Sequence, residues 1–160
     1  MFSVGDKVVH PLHGAGVIEA ITQERIAEKT TSYYVFQMPS GRLTLKIPTE
    51  NCSSIGVRHL VSMDRMKALF ERLPQMETEM SDNWNRRYRE NMEKLKSGDL
   101  DKVAGVIKSL SLREAQRGLS TGERKMLHSA KQVLLSEVVL VFQMTYEAAE
   151  SLLHRTIMEN

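Results

Sequence analysis

Two different spacings of hydrophobic residues divide the chain near residue 60. Over the first 58 residues, short runs of β-branched, aromatic or alternating apolar residues are separated by turn-forming residues, which is typical of strands. The predicted strands are Lys7–His10, Val17–Ile21, Tyr33–Met38, Leu43–Ile47 and Ile55–Arg58. Thr22–Ser32 is a polar stretch between two of them, and Pro39–Arg42 carries a hairpin turn signal. Strands this short and numerous predict a small SH3-like or Tudor-like barrel, with an edge strand able to add to another protein's sheet.

After residue 60 the apolar residues recur at the three- and four-residue spacing of amphipathic helices. Good N-cap residues precede each helical stretch, and Ser120 with Glu123 fits a capping box that opens a long helix. The five predicted caps are Ser62, Ser81 or Asp82, Asp99, Ser120 and Thr145. The sequence therefore predicts an α+β protein with an all-β domain over residues 1–60 and an all-α domain over residues 61–160.

Composition limits the class of protein. The chain has 160 residues, 41% of them hydrophobic, which is enough to bury the cores of two small domains. Its single cysteine, Cys52, has no partner for an internal disulfide, which favours a reducing, cytoplasmic setting. The longest apolar run, Val138–Phe142, is far shorter than the roughly 20 residues that cross a bilayer. No membrane contact is expected.

The positive charge is concentrated in the middle of the chain. The total net charge is only +2, but residues 83–125 hold 11 Lys and Arg against 6 Asp and Glu. Residues 1–83 hold 9 against 10, and residues 126–160 hold 2 against 4. A local excess of positive charge is a better indication of nucleic-acid binding than the total.

Several residues are of types that can perform chemistry, but each has a simpler interpretation. His10 and His13 flank Pro11 and Leu12, but no third ligand stands at a spacing suitable for a metal. Gly14 and Gly16 lead into a predicted strand, so they indicate a β-turn rather than a phosphate loop. Cys52 has no basic neighbour in sequence, and no nucleophile or zinc-protease motif occurs. We therefore expect no enzyme activity, no cofactor, no metal and no small-molecule substrate.

The segment Asn83–Asn91 combines the only tryptophan with a tyrosine and three arginines at the start of a predicted helix. Trp84, Arg87 and Tyr88 share one helical face, with Arg86 and Arg89 to the side. One interpretation is a buried aromatic core with a solvated basic flank. The other is an aromatic wedge against unstacked bases, with arginines holding phosphates. A second basic group follows, consisting of Arg113, Arg117, Arg124 and Lys125.

Four motifs in order resemble the CarD/CdnL family of bacterial transcription regulators over nearly the whole chain. They are VGDKVVHPLHGAGVIEAI, LTLKIPTEN followed by IGVR, NWNRRYRENMEKLKSGD, and RGLSTGERKMLHSAKQVLLSE. The resemblance implies a Tudor-like domain that binds the β subunit of RNA polymerase, as in the polymerase-interacting module of the transcription-repair coupling factor. It also implies a helical domain that contacts promoter DNA at the upstream edge of the −10 element and stabilises the open complex.

The resemblance further implies roles for individual residues. Trp84 takes the role of a wedge in the minor groove at the edge of the melted bubble. Arg86 and Arg89 stand where the family has phosphate contacts beside it, and Arg113, Arg124 and Lys125 stand in a second DNA-facing group. Arg87, between them in the basic motif, is also predicted to contact DNA. Lys46 stands at a basic position that faces polymerase. Glu24 stands where a second basic residue is expected, which leaves its neighbour Arg25 as the predicted contact. The protein is expected to be a monomer.

Two other functions remain open at this point. One is an operator-specific DNA-binding regulator that acts without polymerase. The other is a protein–protein adaptor in which Trp84 is either a hot spot or part of the core. Exposure of Trp84 distinguishes a core residue from a contact residue.

Overall fold

A five-stranded antiparallel sheet forms the first of two compact units, Met1–Leu60, in a computed structural model that describes residues 1–38 and 44–158. The strands lie in the spatial order β4-β3-β2-β1-β5. Their bounds are β1 Lys7–His10, β2 Gly14–Ile26, β3 Lys29–Gln37, β4 Thr44–Pro48 and β5 Arg58–His59. The predicted turn Pro39–Arg42, together with Leu43, lies outside the described residues.

The polar stretch Thr22–Ser32 belongs to a long β-hairpin rather than to an irregular connection. Ala27 and Glu28 form its turn, with Ala27 in the left-handed region at φ 58°. Strand β1 pairs with β2 only from Gly14 to Val17, so the rest of the hairpin extends past β1. Most side chains there are exposed, which explains why a strand can be this polar.

The predicted strand Ile55–Arg58 is wrong over its first three residues, where the structure has the end of a short helix and the turn that follows it. A 3-10 turn, Thr49–Asn51, leads into the short helix α1, Cys52–Ile55. Gly56, at φ 100°, ends α1 by donating its N–H to the carbonyls of Cys52 and Ser53. A glycine in the left-handed region is a common helix C-cap, and here it stands inside the predicted strand. Only Arg58 of the predicted strand is in β5.

One hydrophobic cluster forms the core of the first unit. It contains Val8, Ile18, Tyr34, Phe36, Met38, Ile47, Cys52 and Val57. Burial raises the pKa of the Cys52 thiol, so this cysteine acts as a core residue.

The second unit, Val61–Asn160, is helical, which confirms the α+β prediction. Its helices are α2 Met63–Arg72, α3 Trp84–Lys96, α4 Leu100–Gln116, α5 Thr121–Phe142 and α6 Tyr146–Met158. A 3-10 turn, Leu73–Gln75, follows α2. The predicted caps Ser62, Asp99, Ser120 and Thr145 are confirmed, since each side chain accepts a backbone N–H of the first turn. Asn83, and not Ser81 or Asp82, caps α3.

Helices α4 and α5 supply much of the core of this unit. The predicted apolar face of α4, which consists of Leu100, Val103, Ala104, Ile107 and Leu110, is buried throughout. One charged side chain is also enclosed there. Lys108 donates from Nζ to the carbonyl oxygens of Leu73, Pro74 and Met76 at 2.8–2.9 Å. This ammonium caps the turn that ends α2.

Among residues 1–38 and 44–158, no helix is long and apolar enough to span a membrane.

Candidate functional site

Trp84 and Tyr88 form a stacked aromatic pair on the first turns of α3. Their ring centroids are 5.0 Å apart and the ring planes differ by 18°. The one-turn spacing along α3 places the two side chains on the same side of the helix. Trp84 is 42% exposed, so the interpretation of this residue as a core tryptophan is wrong.

The beginning of α5 lies directly against this pair. Trp84 donates from Nε1 to the hydroxyl oxygen of Ser120, the N-cap of α5, at 3.0 Å. At Gly122 the helix backbone comes close to both rings. A Cβ added at Gly122 would lie 3.5 Å from Cε2 of Tyr88 and 3.7 Å from Cζ2 of Trp84. The pair is therefore held between the two helices at one edge and exposed at the other.

Arg87, between the two aromatic residues in sequence, is buried. Only 3% of Arg87 and 2% of Glu123 are exposed. Nε and Nη2 of Arg87 donate to the two carboxylate oxygens of Glu123 at 2.8 and 3.3 Å, and Nη1 donates to the carbonyls of Ser81 and Asp82. These bonds from Arg87, together with the hydroxyl of Ser120, lower the pKa of the Glu123 carboxyl. The structure thus places Arg87 in a bridge between α3 and α5, out of reach of an external phosphate.

The other predicted DNA contacts are on or near the surface. Arg86 is exposed and donates from Nε to Glu90 at 2.8 Å, one turn further along α3. Arg89 is exposed as well. Arg113 is only partly buried, but its Nε is enclosed and has no hydrogen-bond partner among the described residues.

Arg124 and Lys125 follow the segment that packs on the aromatic pair. Both are exposed on the early turns of α5. With Thr121, His128 and Ser129 they line a surface cavity of about 440 Å³. The beginning of α5 therefore contacts the partly exposed indole of Trp84 and carries two exposed cations in the same turns.

Arg25 and Lys46, the predicted polymerase contacts, lie on opposite faces of the sheet. Lys46 pairs with Val35 of β3, and Arg25 pairs with Thr30. Because side chains alternate along a strand, positions five residues apart on β3 face opposite ways. Arg25 is next to Glu24 in sequence, but it does not lie on the same face of the sheet as Lys46.

Glu24 occupies the face of the sheet that carries Lys46. Its Oε1 accepts a hydrogen bond from the Lys46 ammonium at 2.7 Å, with the two side chains 40% and 53% exposed. This hydrogen bond raises the pKa of Lys46. The sequence could have indicated this contact only through the alternation of side chains across paired strands. That alternation was not visible, because the predicted strand ended at Ile21 and β2 continues to Ile26.

The surroundings of His10 indicate a structural role and not a metal ligand. It is buried, its Nδ1 accepts the N–H of Leu12 at 3.0 Å, and its ring lies 4.7 Å from that of His13. Burial, with the nearby His13, lowers the pKa of His10 to about 4. Over the ranges that the structure describes, no three or more His, Cys, Asp or Glu residues form a metal-binding group.

These features define a protein of two units, a five-stranded sheet with β4 at one edge and a helical unit that carries an exposed tryptophan and several exposed cations. The family model for the CarD-like/TRCF RID domain matches residues 2–61, and that for the CarD C-terminal domain matches residues 68–154. A Bacillus subtilis (strain 168) protein described as "Putative transcription factor YdeB" is 32% identical over 151 residues, covering 94% of this chain and 99% of that protein. The chain belongs to the CarD-like family of transcription factors, which confirms the resemblance.

Proposed function

We propose that this protein regulates transcription initiation by stabilising the open promoter complex. Its first unit binds the β subunit of RNA polymerase, and its second binds promoter DNA at the upstream edge of the −10 element. The protein acts by binding, as a monomer, and uses no cofactor. The observation that carries this proposal is the exposed edge of Trp84, which is stacked on Tyr88 and flanked by exposed cations.

The indole of Trp84 gives the proposed selectivity for opened DNA. A side chain that enters between base steps binds only where the stack is already broken, and unstacking a step costs about a few kcal/mol. Stacking of a base on an aromatic ring returns about 1–3 kcal/mol. Because the ring binds the opened state better than the closed one, it shifts the equilibrium toward the opened state.

The exposed cations supply contacts that do not depend on sequence. Arg86, Arg89, Arg124 and Lys125 are exposed, and they are the proposed contacts to phosphates. The exposed ion pair between Arg86 and Glu90 costs little to exchange for a phosphate, since such pairs contribute about 0–1 kcal/mol. This set predicts weak, salt-sensitive DNA affinity with little sequence preference.

Attachment to polymerase makes weak DNA affinity sufficient. A module tethered beside its target binds it at a high effective concentration. The match of residues 2–61 to the RID domain family supports the first unit as the attachment module. Strand β4 presents Lys46 at one edge of the sheet, where a partner strand and an acidic side chain would bind together.

The test is the lifetime of a competitor-challenged open complex formed with the cognate polymerase. Wild-type protein should lengthen the lifetime, and Trp84→Ala should return it toward the value without protein; a tenfold change corresponds to about 1.4 kcal/mol. Tyr146→Ala is the matched control, because Tyr146 is an aromatic residue of similar exposure on α6. It should behave like the wild type.

A footprint and a pull-down, set beside this lifetime, separate the alternative functions from the proposed one. An operator-specific regulator would footprint a defined site without polymerase. An adaptor would use the exposed Trp84 as a hot spot for a protein, and Trp84→Ala would then abolish a pull-down without changing open-complex lifetime. An unchanged lifetime with wild-type protein contradicts the proposed function.

A further inference from the structure

We propose that Ser120 is a positioning residue for Trp84, in addition to being the N-cap of α5. Its hydroxyl fixes the rotation of the indole, so that the exposed edge of the ring is already oriented before DNA arrives. This inference rests on the proposed function, because it names the group that prepares Trp84 for that contact.

Among the described residues, three neighbours restrain the indole, and one of these interactions is a directional hydrogen bond. Tyr88 stacks on its face, and the helix backbone at Gly122 lies close to its Cζ2 edge, with room for no more than a side-chain methyl between them. Both contacts allow the ring to slide or tilt. The hydrogen bond from Nε1 of Trp84 to Ser120 sets a distance of 3.0 Å and an angle, and therefore determines which edge of the ring faces outward.

The hydroxyl of Ser120 uses its full hydrogen-bonding capacity in this arrangement. It donates to Oε1 of Glu123 at 3.1 Å, and it accepts the backbone N–H of Glu123 at 3.2 Å and Nε1 of Trp84. A serine hydroxyl has one proton to donate and two lone pairs. Because the proton is committed to a carboxylate, the second lone pair is directed to the indole.

The carboxylate that holds this proton is itself immobile. Glu123 is buried and receives two N–H groups from Arg87, which belongs to the same helix as Trp84. Hydrogen bonds thus connect Trp84 to Ser120, Ser120 to Glu123, and Glu123 to Arg87. Because Arg87 and Trp84 are both in α3, this circuit of contacts is closed. A side chain ordered in advance loses less entropy when it binds, so the circuit should strengthen the contact that Trp84 makes.

Ser120→Gly tests this role separately from capping. Glycine is an acceptable N-cap that costs only a few tenths of a kcal/mol in place of serine, so the variant preserves α5 while it removes the acceptor for Trp84 and the hydroxyl that donates to Glu123. Ser62→Gly is the matched control, because Ser62 caps α2 and, among the described residues, its hydroxyl accepts only the N–H of Arg65. Ser120→Thr retains the hydroxyl and should restore wild-type behaviour.

The first readout is the fluorescence of Trp84, the only tryptophan in the chain. In the full-length protein without DNA, Ser120→Gly should add a fast component to the anisotropy decay and increase quenching by acrylamide. Ser62→Gly and Ser120→Thr should match the wild type. Unchanged indole motion in Ser120→Gly overturns the proposal, whatever the protein does in transcription.

The second readout is open-complex lifetime. Ser120→Gly should shorten it by about two- to tenfold, the range that one neutral hydrogen bond spans. In the Trp84→Ala background the same change should have no further effect, because Ser120 acts through Trp84. If Trp84 controls the lifetime and Ser120→Gly does not, the positioning role is overturned and the proposed function stands. If wild-type protein has no effect on lifetime, the proposed function fails, and the fluorescence result alone decides whether Ser120 orders the ring.

Discussion

The ion pair of Arg87 and Glu123 is buried at the site, with the two side chains only 4% and 2% exposed. Glu123→Gln leaves the Arg87 guanidinium buried without a counter-charge, so we expect a loss of about 3–5 kcal/mol in the free energy of unfolding. Urea denaturation followed by Trp84 fluorescence measures this loss. Glu90→Gln, which breaks the exposed pair with Arg86 on the same helix, should cost about 0–1 kcal/mol.

The same pair predicts a pH dependence. Arg87 holds the pKa of Glu123 below its ordinary value of 4.5, so its stabilisation is fully present above that pH and is lost as the pH falls through the lowered pKa. The difference between wild type and Glu123→Gln should narrow over that acidic range. Equal losses for Glu123→Gln and Glu90→Gln at neutral pH would contradict the assignment of a buried pair.

His10 gives a second prediction at the scale of one residue. The unfolded chain binds a proton on this imidazole near pH 6.5, but the folded chain binds it only near pH 4. Stability of the first unit should therefore fall between pH 6.5 and 4, by at most about 3 kcal/mol. His10→Asn keeps an acceptor for the N–H of Leu12 and should remove this part of the dependence. An NMR titration of His10 with a midpoint near 6.5 would contradict the prediction.

At the scale of elements, a single lysine joins α4 to the turn after α2. Burial lowers the pKa of Lys108, and its ammonium satisfies three carbonyl oxygens. Lys108→Met leaves those oxygens unsatisfied and should reduce the free energy of unfolding by about 3 kcal/mol. Lys102→Met, an exposed position on the same helix, should change it by less than about 0.5 kcal/mol. Urea denaturation compares the two, and similar losses would argue against the capping role.

At the scale of the whole molecule, a substitution in one unit should impair the interaction proposed for that unit and leave the other interaction intact. Lys46→Glu reverses the charge at the edge of the sheet and places it beside Glu24, so polymerase binding in a pull-down should drop strongly. The weak, salt-sensitive affinity for DNA that we propose for the second unit should be unchanged in this variant. Trp84→Ala should show the reverse pattern, with normal polymerase binding and a short-lived open complex. A normal pull-down yield with Lys46→Glu would place the polymerase contact elsewhere.

Glu24→Gln refines the same test. It removes the intramolecular partner of Lys46 and keeps the size of the side chain. If Lys46 binds an acidic group of polymerase, this variant should bind at least as well as the wild type, because no internal pair has to be exchanged.

The sequence by itself determined the features that depend on near neighbours. Four helix caps and the buried face of α4 were predicted correctly, because a cap hydrogen bond spans three residues and an amphipathic face repeats within a turn. The cap of α3 was misplaced, since Ser81, Asp82 and Asn83 are all good caps and only the path of the chain selects Asn83. The division into a strand-rich and a helical part also follows from local periodicity.

Only the tertiary structure decided the features that join distant residues. Glu123 lies 36 positions from Arg87, and Ser120 lies 36 positions from Trp84, so no local pattern shows that the central arginine of an exposed-looking basic motif is buried. Glu24 and Lys46, 22 positions apart, meet only because β2 and β3 continue as a long hairpin. Periodicity reports which side of a helix or strand is apolar. Which residues meet across two elements depends on their packing, and at this site packing determines which cations remain free to bind and which one supports the tryptophan.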